Sequence, residues 1–268
     1  MHLQRLVVAA VALPLLYLYI TKLSSVYFLL LLSLVSALGQ AEFYSMYKTR
    51  KELAIWGIVS GLLLMSSLYL SRYSVIDMSG YSINGIFFML SFVLMASARL
   101  FLIKEPSASL SDLAPAIIGF LYVPNLMSAQ WYLRLQGAEW IIFLYGCVWA
   151  SDSLAFYVGT NLGKRKLYPS VSPNKTVEGA VGSVAGGIIA ALILGRLLLT
   201  KSPDASLAAM GAVIGLVTIA GDLVESMFKR DAGVKDSGSI VPGHGGILDK
   251  LDGSLYAGPA LYWMTLVL

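Results

Sequence analysis

Nine apolar stretches divide the chain, at about residues 6–20, 24–40, 53–70, 83–103, 113–134, 140–159, 177–200, 206–228 and 251–268, joined by short polar connections. Runs approaching 20 residues match the hydrocarbon thickness of a bilayer. Only helices and closed barrels satisfy their backbone in lipid, and these runs lack the period-two alternation of barrel strands. The pattern predicts an all-α, polytopic integral membrane protein with about nine transmembrane helices. Pro115 and Pro124 fall in the fifth run and predict a kinked or broken helix there; the first run is short and carries Pro14.

One long polar passage interrupts the pattern, DLVESMFKRDAGVKDSGSIVPGHGGILDKLDGS from Asp222 to Ser254. Charge clustered beside a bilayer is expensive and marks a functional site. Composition sharpens the contrast. The chain is 57% hydrophobic and 13% charged, with a mean hydropathy of +0.76, against about 25% charged residues in soluble domains. A net charge of +4 is too small to point to nucleic acid, and the single cysteine, Cys147, forms no intrachain disulfide and reads as core packing. Ala37-Leu38-Gly39 lies too far along the chain for an ordinary signal-peptide cleavage site, so cleavage is not expected.

With the amino terminus inside, nine spans leave Lys22, Arg72, Arg134, Arg196 and Lys201 on the outer face and the other fourteen of the 19 Lys and Arg on the inner one. That asymmetry follows the positive-inside bias and puts the 160–176 and 229–250 loops together on the cytoplasmic side. The chain reads as a single transmembrane domain over 1–268, in which 1–135 is mainly scaffold spans and 140–268 holds the catalytic spans and cytoplasmic loops. Gly179, Gly182, Gly186 and Gly187 recur at small-xxx-small spacing and predict close helix contact.

On a helix ending near Arg230, Asp222, Ser226 and Lys229 fall at i, i+4 and i+7 with Glu225 at i+3, one polar stripe. A self-neutralising pair of Asp222 or Glu225 with Lys229 is one reading. Asp249 and Asp252, at i and i+3 where the last span begins, either cap that helix or join Asp222 around a hard cation; oxygen donors of this kind suit Mg²⁺. Pro242-Gly243-His244-Gly245-Gly246 is a turn that brings backbone close to a ligand or simply returns the chain to the membrane. Upstream, Asp152 lies within an apolar run, Lys164, Arg165 and Lys166 follow it, and Ser172-Pro173-Asn174-Lys175-Thr176 gathers hydroxyls and a lysine at a helix start, where phosphate binds well.

Ser226-x-Phe228-Lys229-Arg230, Lys235-Asp236, Pro242-x-His244-Gly245-Gly246 and Asp249-x-x-Asp252 together resemble the signature of phosphatidate cytidylyltransferases, also called CDP-diacylglycerol synthases. Asp152, Gly163-Lys164-x-Lys166-Leu167 and Ser172-Pro173-x-Lys175-Thr176-x-Glu178-Gly179 are similar to that family too, so the resemblance covers about the last 120 residues. Lys250 stands where the family usually has arginine and Val241 where it prefers leucine, isoleucine or phenylalanine; a lysine keeps the charge and loses the bidentate fork.

The resemblance implies Mg²⁺-dependent transfer of CMP from CTP to phosphatidic acid, giving CDP-diacylglycerol and pyrophosphate, with one or two Mg²⁺ ions. It implies that Asp222 and Asp249 hold the metal with Asp252 in support, and that Lys229, Arg230, Lys235 and His244 contact phosphates. Asp152, Ser172, Asn174, Lys175, Thr176, Glu178, Ser226, Asp236, Gly245, Gly246 and Lys250 complete the expected substrate site. CTP, phosphatidic acid and membrane lipids are the expected partners, and a homodimer is an expectation of the resemblance; in a bacterium the location is the inner membrane.

Two rivals differ in sequence features. A CDP-alcohol phosphotransferase would continue from Asp252-Gly253 into further acidic residues at helical spacing, and none follow. A cation-coupled transporter places its acids near the midplane between related halves, whereas here they gather near one face.

Overall fold

The computed structural model describes residues 17–73, 82–240 and 245–268. Residues 17–22 are helical, followed by α1 (Ser25–Met46), α2 (Lys51–Tyr73), α3 (Ile83–Leu102), α4 (Ser109–Phe120), α5 (Leu126–Gln136) and α6 (Ala138–Leu162). A short hairpin, β1 (Lys166–Tyr168) and β2 (Ser172–Thr176), leads into α7 (Val177–Leu198), α8 (Asp204–Asp231), a 3-10 turn at Leu248–Lys250 and α9 (Asp252–Val267).

Seven helices among the described residues are long and apolar enough to cross a membrane, Ser109–Gln136 counting as one. The all-α, polytopic reading holds, with two differences from nine spans. Most of the first predicted run lies outside the described residues, and α9 has 16 residues, short of the roughly 20 a span needs. The fifth run bends without breaking: α4 and α5 join through a π turn, Leu121–Asn125, that contains Pro124. Proline has no N–H for the Phe120 carbonyl, and the wider turn accommodates that missing bond.

The glycines of α7 do what their spacing predicts. A methyl at Gly186 would stand 2.7 Å from the Ala150 carbonyl oxygen on α6, and one at Gly179 3.0 Å from that of Ala155. On the opposite side, one at Gly215 of α8 would stand 2.6 Å from the Ser183 carbonyl oxygen, and Ser183 Oγ donates to the Gly215 carbonyl at 2.9 Å. Backbone therefore meets backbone on both sides of α7, which brings α6 and α8 near enough to frame a common cavity.

At 28 residues, α8 is about 42 Å long, more than a bilayer's hydrocarbon thickness. Its last turns reach the polar boundary, and Lys229 and Arg230 there complement the helix dipole. Gly233, at φ 72°, ends it. The connections near residues 47–50, 103–108, 163–176 and 232–251 share one face. Arg50 Nε and Arg99 Nε lie 3.2 and 2.9 Å from Asp112 Oδ2, Tyr47 donates to Asp231 at 2.9 Å, and Arg230 Nε donates to the Val171 carbonyl at 3.3 Å.

Candidate active site

A cavity of about 790 Å³ opens on that face, within the usual range of ligand sites. Helix α6 contributes Trp149, Asp152 and Phe156, the hairpin Lys166, Asn174, Lys175 and Thr176, and α8 Asp222; Asp249, Lys250 and Asp252 close the far end. Four carboxylates thus share a wall with three lysines. Trp149 and Phe156, 47% and 67% exposed, are its apolar rim on the outer side of α6.

The hairpin is a structural addition to the sequence reading, which took 160–176 as a loop. Lys166 pairs with Thr176 and Tyr168 with Ser172, with an irregular register between them. Thr176 then caps α7, its Oγ1 accepting from Gly179 N at 3.0 Å. Glu178 accepts from the amides of Lys164 and Arg165 at 3.0 and 3.2 Å, pinning the loop that enters β1. So anchored, the hairpin lays Lys175 across the cavity, with its Nζ 2.5 Å from Asp222 Oδ2.

The polar stripe on α8 forms, but its members face different neighbours. Ser226 Oγ donates to Asp222 Oδ1 at 3.3 Å. Lys229 points away from Asp222, its Nζ 2.6 Å from Asp249 Oδ1 and 3.1 Å from Glu225 Oε2. The Glu225 side chain is 0% exposed, and among the described residues neither carboxylate oxygen has a well-formed hydrogen bond, so Lys229 is the charge that makes its burial tolerable.

Asp249 is the most heavily engaged of the four carboxylates. Besides Lys229, its Oδ2 accepts from Ser237 N, Ser237 Oγ and Gly246 N at 3.0, 3.0 and 2.8 Å. Gly245, at φ 85°, makes this turn possible, since a Cβ there would stand 2.6 Å from Asp249 Oδ2. Asp252 begins α9, and its Oδ1 accepts from Gly253 N at 2.8 Å.

The structure therefore brings together Asp152, Asn174, Lys175, Thr176, Asp222, Asp249, Lys250 and Asp252 on one wall. Ser172, Glu178, Ser226, Lys229, Arg230, Lys235, Asp236, Gly245 and Gly246 do not line it, and His244 and Val241 lie outside the described residues. Sequence reasoning missed Glu42. This α1 side chain is buried, and accepts from Ile247 N and Leu248 N at 2.9 Å each and from Ser237 Oγ at 3.1 Å. The available signal was a carboxylate closing an apolar run, which also reads as an ordinary span boundary.

A sequence model of the Cytidylyltransferase family matches residues 3–268. The chain belongs to that family. It is similar to the phosphatidate cytidylyltransferase of Bacillus subtilis, 34% identical over 239 residues covering 86% of this chain and 87% of the relative. It is also similar to that of Synechocystis, 30% identical over 296 residues covering 99% and 97%. Family membership makes the chain a nucleotidyltransferase and not a transporter, and its long apolar helices make it a multi-pass membrane protein.

In this cytidylyltransferase the Asp249 turn also sets an acid limit. Burial pushes the Asp249 carboxyl up, but hydrogen bonds from Lys229 and from the Gly246 and Ser237 amides outweigh it and hold it below the ordinary range. A carboxyl depressed by folding adds stability above its unfolded value, about 3.9, and loses that contribution as pH falls through the folded value. In chelator-treated detergent solution, melting temperature is expected to drop below about pH 4, with a shallower acid limb in Asp249→Asn. Superimposable limbs would count against this.

Proposed function

We propose that the cavity joins CTP to phosphatidic acid, forming CDP-diacylglycerol and pyrophosphate on the cytoplasmic face of the membrane. The observation that carries this reading is the wall itself: four carboxylates and three lysines from three helices, a hairpin and the 3-10 turn before α9, beside an apolar rim. The chain's similarity to the phosphatidate cytidylyltransferases of Bacillus subtilis and Synechocystis supports the same substrates.

In the reaction a phosphate oxygen of the lipid attacks the α-phosphorus of CTP. The bond from that phosphorus to the oxygen bridging it to the β-phosphorus breaks, and pyrophosphate leaves with the electron pair. The attacking oxygen is already ionised at neutral pH, so catalysis reduces to orientation and charge stabilisation. Lys166, Lys175 and Lys250 are positioned to meet phosphate oxygens, and Thr176 and Asn174 to donate to them. Lys229 is turned away and serves by holding Asp249 in place.

Among the described residues no three carboxylates stand together as a ready metal site, but a phosphate-bound Mg²⁺ takes only one or two protein carboxylates, and the wall offers these. Asp222 and Asp252 would hold Mg²⁺ together with the substrate phosphates, with Asp152 on the same wall; Asp249, whose two oxygens are taken by Lys229 and the Ser237–Gly246 turn, would join them only by releasing Lys229. The ion would supply charge neutralisation of the triphosphate. The cytoplasmic placement rests on the excess of Lys and Arg on the site's side.

The test is direct. Purified protein in detergent micelles, given labelled CTP, phosphatidic acid and Mg²⁺, is expected to yield labelled CDP-diacylglycerol and one pyrophosphate per product. Labelled product from another acceptor lipid, with none from phosphatidic acid, would overturn the substrate assignment.

A further inference from the structure

Glu42 lies off the cavity wall and outside every signature motif, yet the turn behind Asp249 is built on it. It is 4% exposed on α1. Its Oε1 accepts from Ile247 N, and its Oε2 from Leu248 N, both at 2.9 Å. Ser237 Oγ stands 3.1 Å from Glu42 Oε2 and 3.0 Å from Asp249 Oδ2. A hydroxyl has one proton, so Ser237 links two carboxylates through a single donor. Asp249 grips the amides of residues 237 and 246, and Glu42 grips those of 247 and 248. There is little slack: a methyl at Gly238 would stand 2.6 Å from Glu42 Oε1, and one at Gly246 would meet both Ser237 Oγ and Glu42 Oε2.

We infer that Glu42 is a positioning residue for nucleotidyl transfer. Through Ser237 and the amides of Ile247 and Leu248 it fixes the Asp249 carboxylate, and with it the Asp249–Asp252 end of the cavity. A negative charge is needed for this. Glutamine has the same shape but one acceptor oxygen, so its NH2 group is turned toward an amide N–H or the serine hydroxyl. One backbone donor is left unpaired in the turn that carries Asp249. The inference rests on the cavity being the reaction site, and an exchange measurement that needs no turnover keeps the two apart.

The full chain is purified in detergent as wild type, Glu42→Gln and Ser237→Ala. Steady-state kinetics with CTP and phosphatidic acid are paired with amide hydrogen exchange read by mass spectrometry. In Glu42→Gln, kcat is expected to fall about 10- to 100-fold, while KM for CTP stays within about threefold. Exchange quickens at residues 245–250 and is unchanged in α2 and α3. Ser237→Ala, which keeps both sets of amide bonds, gives the same signature at about tenfold or less. A Glu42→Gln enzyme with kcat within about twofold of wild type overturns the inference. So does a kcat loss accompanied by faster exchange through every helix, which would make Glu42 an anchor for stability alone. Wild type without turnover but with the same local exchange in Glu42→Gln would support the clamp and overturn the substrate reading instead.

Discussion

Asp222→Asn is expected to lower turnover by about a thousandfold or more, with the fold intact. Asp222 is the one α8 carboxylate on the cavity wall, and its 34% exposure leaves it open to a bound ligand. Asparagine keeps the shape and the acceptor for Ser226, but loses the negative charge that holds Lys175 at 2.5 Å. It also loses the charge that the proposed Mg²⁺ site requires. Stability is expected to change by no more than about 1 kcal/mol, since a pair this open to solvent contributes little. Labelled-CTP turnover and a thermal melt on the same preparation separate the two effects. Turnover within about tenfold of wild type would remove Asp222 from the chemistry.

Lys229→Met is the largest expected loss of stability. It strands Glu225, which is 0% exposed, and takes from Asp249 its closest cation. Leaving a buried charge without its partner costs about 3–5 kcal/mol, whereas replacing both partners by neutral groups costs much less. The double variant Glu225→Gln/Lys229→Met should therefore recover part of the loss. Chemical denaturation in detergent, followed by tryptophan fluorescence, measures both. A single variant as stable as wild type would mean that Lys229 is not the compensating charge.

Much of this was legible in the chain, for physical reasons. Apolar runs of bilayer length give helices, and the α7 glycines give close crossings because nothing larger fits against the carbonyls of Ala150 and Ser183. That Asp222, Asp249 and Asp252 line one cavity is what two antiparallel segments opening at the same face imply, although the three do not stand together as a ready metal site among the described residues. Three things were not legible. The hairpin at 166–176 carries two prolines and no alternation, and its pairing depends on Glu178 and Thr176 anchoring its ends. The choice of Asp249 over Asp222 as the partner of Lys229 is a matter of rotamer and neighbour, invisible to helical spacing. Glu42 was hidden by distance, since its donors lie 195 to 206 residues away.

That separation has a bearing on biosynthesis. At about 5–20 residues per second, the ribosome makes Glu42 roughly 10–40 s before Ile247. Over that interval the first helices enter the bilayer carrying an anion whose eventual donors do not yet exist. Until the final segment arrives, water at the membrane boundary must stand in for the amides of Ile247 and Leu248, and folding of the last turn displaces it.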